Sequence, residues 1–115
     1  MRKMYKLNHD RYKELKYFCR QYQDWKKKYI ELDGKIGKGK EDVTAKTGTA
    51  RADYMKAISL IEMTAKDVDP DYYPYIMKAV TTDCSYREVG APGGEEVLKA
   101  VLDRFFWELS RRKGI

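Results

Sequence analysis

Residues 85–113 read SYREVGAPGGEEVLKAVLDRFFWELSRRK. Ser85 followed three residues later by Glu88 is the pattern of a capping box, in which each side chain satisfies a backbone N–H left open at a helix start. The helix it opens is short, because Gly90 and Pro92 stop it. Beyond Gly93 and Gly94 the spacing predicts a longer helix over 95–113. Its residues Leu98, Val101, Leu102, Phe105 and Leu109 share one face. Glu95 and Glu96 open this helix, and Arg111, Arg112 and Lys113 close it, the order a helix dipole favours. Gly114 suits the exit. A short helix, a tight turn and a longer helix make a helix-turn-helix over 83–115. In DNA binders of that form, the leading residues of the second helix meet the base edges.

Working back along the chain, Leu15, Phe18, Tyr22, Trp25, Tyr29 and Leu32 are spaced 3, 4, 3, 4 and 3. That is one apolar stripe of a helix over 8–32, with Asn8 or Asp10 as its cap. Lys16, Arg20, Lys26, Lys27 and Lys28 fall on the other side. Residues 33–48 are rich in Gly and Lys and read as a flexible surface loop. A second stripe, Tyr54, Ile58, Ile61, Ala65 and Val68, predicts a helix over 49–68 that pairs with the first as a hairpin. Pro70 and Pro74 separate it from a helix over 73–82 that buries Ile76, Met77 and Val80. No strand pattern competes. The expected fold is all-α: one domain over 1–115, with a basic N-terminal helix over 1–32, the loop over 33–48, central helices over 49–82, and the C-terminal helix-turn-helix, about five helices in all.

The chain carries a net charge of +6, unevenly placed. Residues 1–40 hold 13 Lys and Arg against 5 Asp and Glu, whereas residues 41–115 hold 11 against 13. A basic half attracts polyanions, nucleic acid before an acidic protein face. Cys19 and Cys84 stand alone and read as small buried residues of a reducing compartment. No apolar run approaches the roughly 20 residues of a membrane span, and the basic N-terminus lacks the apolar segment of a signal peptide, so the cytoplasm is expected.

Several patterns imitate chemistry. GKIGKGKE at 34–41 nearly spells a phosphate-binding loop, but Glu41 replaces the hydroxyl that holds magnesium, and a helix rather than a strand precedes it. Asp67, Asp69 and Asp71 imitate a calcium loop, yet Tyr72 and Lys78 occupy the positions that need Gly and Glu. His9 has no neighbouring partner in sequence. Glu95 and Glu96 are explained by their place in a first helical turn. No catalytic, cofactor or metal site is therefore expected, and the chain reads as a binding protein rather than an enzyme.

YKELKYFCRQYQDWKKKY at 12–29, IEMTAKDVDPDYYPYIMKAVTTDCSYREVG at 61–90 and RFFWELSRRKG at 104–114 resemble small proteins of Gram-positive phages and prophages, similar to late-transcription regulators of the RinA/ArpU type. The resemblance implies a helix-turn-helix like that of the promoter-reading part of sigma factors, and a role in transcription regulation on double-stranded DNA. One departure stands out. Where that family is strongly basic after the short helix, this chain carries Glu95 and Glu96, with Asp103 two turns on. The residues expected to meet nucleic acid or a partner are Lys26, Lys27, Lys28, Lys35, Lys38, Lys40, Arg87, Lys99, Arg104, Arg111, Arg112 and Lys113. The acidified helix start keeps a second expectation open: a phage accessory inhibitor, of the anti-CRISPR or other counter-defence type, that binds a host nucleic-acid-binding protein. Phe106, Trp107 and the tyrosines would furnish a homodimer face.

Overall fold

A computed structural model describes residues 7–37 and 45–114. All regular structure among them is helical: α1 (His9–Arg20), α2 (Tyr22–Gly37), α3 (Ala45–Val68), α4 (Tyr73–Thr81), α5 (Tyr86–Val89) and α6 (Gly94–Lys113). The all-α expectation holds.

The stripe predicted as one helix over 8–32 is two helices with a pinch between them. Asn8 caps the first, its Oδ1 accepting from the Asp10 N–H at 2.9 Å. At Gln21 the ladder shortens: its N–H donates to the Phe18 carbonyl, three residues back, at 3.3 Å. Its side-chain amide reaches the Tyr17 carbonyl, at 3.5 Å, that the backbone N–H would otherwise have used. A side chain inserted into the ladder is a recognised cause of a helix kink. The apolar spacing runs through Gln21 unbroken, so periodicity alone did not mark it.

The loop expected over 33–48 is shorter than its composition suggests. α2 continues to Gly37 and α3 already begins at Ala45. Once nucleated, a helix extends at little cost per residue, and Ile36 lies four residues beyond Leu32, in step with the stripe. The remaining part of the predicted loop lies outside the described residues.

α2 runs along α3 as a hairpin, while α1, α3, α4 and α6 close around one core. The molecule measures 58 × 29 × 22 Å, its long axis exceeding the roughly 30 Å that 20 helical residues span. Leu15, Ile61, Ile76, Leu98, Phe105 and Leu109 are the largest apolar side chains sealed from solvent. Cys19 is sealed among them and Cys84 is half-buried. The buried hydroxyls of Thr64 and Thr81 donate to carbonyls one turn back, Leu60 and Met77, each at 2.6 Å, so neither is left unsatisfied.

The C-terminal corner is fixed by local chemistry. The Ser85–Glu88 capping box forms as predicted. Gly90 and Gly93 hold left-handed conformations that let the chain turn back. The Tyr72 hydroxyl, at the start of α4, donates to the Pro92 carbonyl and pins that turn to the core. Phe106 does not serve as an open dimer face: it is 3% exposed and packs edge-on against Tyr12, with centroids 5.1 Å apart.

Candidate nucleic-acid interface

α6 is the central helix, and one face of it is given entirely to the core. Its leading residues 93–97 are all exposed. α5 and α6 are separate helices, and the leading end of α6 is open to solvent. Charge there is balanced rather than basic. Lys99 pairs with Glu95 at 3.3 Å and lies 5.5 Å from the Tyr86 ring centroid. Arg87 borders a shallow hollow that it shares with Tyr86, Gly90, Ala91, Gly94 and Glu95. Partial desolvation raises the Asp103 carboxyl pKa, opposed by Lys99.

The basic end of α6 makes its contacts within the molecule. Arg112 donates to Asp67 of α3 at 2.6 Å and to Glu108 at 3.4 Å. Arg111 pairs with Glu108 at 3.5 Å. The Lys113 ammonium sits 3.7 Å from the centroid of the Phe18 ring, a close cation–π contact. Arg104 lies beside this cluster, in a crevice with Asp67, Val68, Glu108 and Arg112. These four cations, expected to meet a ligand, are thus gathered around acids and a ring of the molecule itself.

On α2 the expected residues divide. Lys28 bonds Asp24 at 3.1 Å, which raises its pKa. Lys26 lies 5.2 Å from the Tyr22 ring centroid. Lys27 is exposed with no ion pair among the described residues. Lys35 lies within α2, and Lys38 and Lys40 fall outside the described residues.

A different set of residues makes an open basic surface among the described residues. Lys13, Lys16, Tyr17 and Arg20 follow helical spacing 3, 1 and 3 and line one hollow on the outer face of α1. Tyr17 is 72% exposed. Lys13 and Lys16 have no ion pair among the described residues, and Arg20 pairs with Asp83 at 3.0 Å. An exposed ring flanked by cations is the arrangement that grips phosphates and stacks bases. Lys13 and Tyr17 are not among the residues expected from the sequence, where the basic side of this helix is drawn through Lys16, Arg20 and Lys26 to Lys28 and the tyrosines are given to a homodimer face. The i, i+3, i+4, i+7 spacing was the available signal.

This surface is continuous with the C-terminal corner. A cavity of about 230 Å³ is lined by Tyr12, Lys16 and Arg20 of α1, by Asp83, Cys84 and Tyr86 around the α4–α5 connection, and by Leu102 and Phe106 of α6. Lys16 and Arg20 therefore belong to both the outer hollow and the cavity, and Tyr86 to both the cavity and the hollow at Arg87. Among the described residues no group of three His, Cys, Asp or Glu is arranged to hold a metal ion, and no helix is long and apolar enough to cross a membrane.

Compared with known proteins, the chain matches no family model, no curated protein and no solved structure.

Proposed function

We propose that this chain is a cytoplasmic DNA-binding protein that grips duplex DNA chiefly by its phosphates, in keeping with its resemblance to RinA/ArpU-type transcription regulators. The observation that carries the reading is the outer face of α1, where Lys13, Lys16 and Arg20 surround the exposed Tyr17 and lead into the corner bearing Arg87. Phosphate contacts position a protein without reading sequence. Base reading falls to the leading end of α6, where Glu95 and Glu96 accept hydrogen bonds but repel phosphate, and cytosine N4 is the base donor a carboxylate matches. Sequence preference is therefore modest and affinity strongly electrostatic.

The test is anisotropy of a labelled random duplex over a series of salt concentrations. Neutralising about four phosphates gives a slope of roughly −3 to −4 in log K against log salt. Binding that ignores salt, or no binding, defeats the reading.

A second reading is favoured by the outward face of α6. Glu96, Lys99, Asp103 and Arg104 alternate in sign there, which suits a protein partner better than a polyanion. On that reading the chain is an inhibitor of a host nucleic-acid-binding protein. It predicts a stoichiometric protein complex that survives nuclease treatment and dissociates when Asp103 and Arg104 exchange places.

A further inference from the structure

The outer face of α1 carries a feature that gripping phosphates does not use. Tyr17 is 72% exposed, more than any other large apolar side chain among the described residues. Leu15, Phe18 and Cys19 supply the core side of this helix, and Tyr17 adds nothing to it. Helix geometry sets what stands around the ring. At about 1.5 Å of rise per residue, Lys13 lies about 6 Å before Tyr17 along the axis and Arg20 about 4.5 Å after it. Each is one turn away, close enough for its side chain to neighbour the ring, and with Lys16 the four line one hollow. Lys13 and Lys16 have no ion pair among the described residues. Arg20 shares its charge with Asp83 at 3.0 Å, a carboxylate that is itself 91% exposed. Glu14, the acid one turn before Tyr17, is paired with Arg11 at 3.7 Å.

We propose that Tyr17 stacks an unpaired base of a nucleic-acid strand while Lys13, Lys16 and Arg20 take the adjoining phosphates, so that a duplex with a single-stranded tail is preferred to a closed one. The inference rests on the DNA-binding reading and names the form of DNA that the same face selects. A closed duplex offers phosphates and base edges, and its base faces are hidden in the stack. It therefore satisfies the cations and leaves the ring in water. An unpaired strand offers both groups in every nucleotide, a charge for the cations and a π-face for the ring. An acidic peptide matches the cations, but its carboxylates bring no ring to meet Tyr17. Because stacking accepts any base, the preference is for strand form and not for sequence.

The full chain is titrated by anisotropy against four labelled ligands: a blunt duplex, the same duplex with a single-stranded tail of about ten nucleotides, that duplex with an abasic tail of equal length, and the tail strand alone. The abasic tail keeps every phosphate and removes every base, which separates stacking from charge. The natural tail is expected to tighten binding about tenfold over the abasic one. Tyr17→Ala should bring the two tailed duplexes to equal affinity while leaving the blunt duplex nearly unchanged. Tyr17→Phe keeps the ring and should keep most of the difference. Since Tyr17 stands outside the core, both variants are expected to retain the wild-type denaturation midpoint. Equal affinity for natural and abasic tails, or a difference that survives Tyr17→Ala, overturns this proposal and leaves the duplex reading intact. Binding of the tail strand that depends on Tyr17, with none of the blunt duplex, supports the proposal and defeats the duplex reading. Binding of none of the four defeats both.

Discussion

Arg112 near the end of α6 and Asp67 near the end of α3 meet at 2.6 Å, closing the C-terminal ends of the two helices across 45 residues of chain. Glu108 steadies the same guanidinium from one turn earlier. The pair is partly open to solvent, which limits its worth to about 0.5–1 kcal/mol. Arg112→Ala should therefore lower the free energy of unfolding by that amount, seen as a lower denaturation midpoint at unchanged slope, and DNA affinity should change little. An unchanged midpoint, or a loss of DNA affinity as large as that of Lys16→Gln, would show that Arg112 acts outward instead.

Duplex affinity is expected to follow α1 and the exposed Lys27 of α2 rather than the tail of α6. Lys13→Gln, Lys16→Gln and Lys27→Gln should each weaken binding across all sequences and reduce the salt slope by about one. Arg111→Gln should not, because its guanidinium is engaged with Glu108. Tyr17→Ala should weaken single-strand binding more than duplex binding, since only unpaired bases offer a face to its ring. The reverse ranking in a salt-series anisotropy measurement would relocate the interface to α6.

Two tyrosines tie the helices through one carboxylate. The Tyr73 hydroxyl donates to Glu62 at 3.3 Å, and burial followed by the Glu62 charge pushes both Tyr22 and Tyr73 up to about 12. Raised folded values mean that the neutral phenols are favoured by folding. Their contribution is complete below pH about 10, where unfolded tyrosine is also neutral, and is lost progressively as pH rises to about 12. Denaturant midpoints across this window should fall with pH, and Tyr22→Phe with Tyr73→Phe should flatten the fall. An equal slope in the double variant would refute the assignment.

The two thiols should differ sharply in reactivity. Cys19 has no solvent exposure, and desolvation, opposed by the charge of Lys113, pushes its pKa up to about 12. The thiolate is the reactive form. A thiol reagent should label half-buried Cys84 first in the native protein and reach Cys19 only on unfolding. Two equally fast equivalents would contradict this packing.

Gly93 has φ of +85°, and a Cβ built there lies 2.8 Å from Val97 Cγ2. Both the backbone and the neighbour resist a side chain, so Gly93→Ala should cost about 1–2 kcal/mol or more. Gly90→Ala meets open space and incurs the backbone penalty alone. A smaller loss for Gly93→Ala than for Gly90→Ala, measured by chemical denaturation, would contradict this turn.

What residue order determined by itself was local. The capping box at Ser85, the glycine exit at Gly114, the proline in the first turn of α4 and the stripes of α1, α3 and α6 depend on neighbours within a few positions, and the pattern carries that information. The same reasoning missed the pinch at Gln21, where a side chain competes with the backbone for the Tyr17 carbonyl, and it overestimated a loop that neighbouring helices shorten. Tertiary packing decided which charges face outward. Arg111 and Arg112 meet acids and Lys113 meets a ring because α6 docks against α1 and α3, whereas Lys13 and Lys16 stay open because α1 turns its apolar side inward. A cation's partner is chosen by distance in space, and residues such as Asp67 and Arg112 become neighbours only when the core closes.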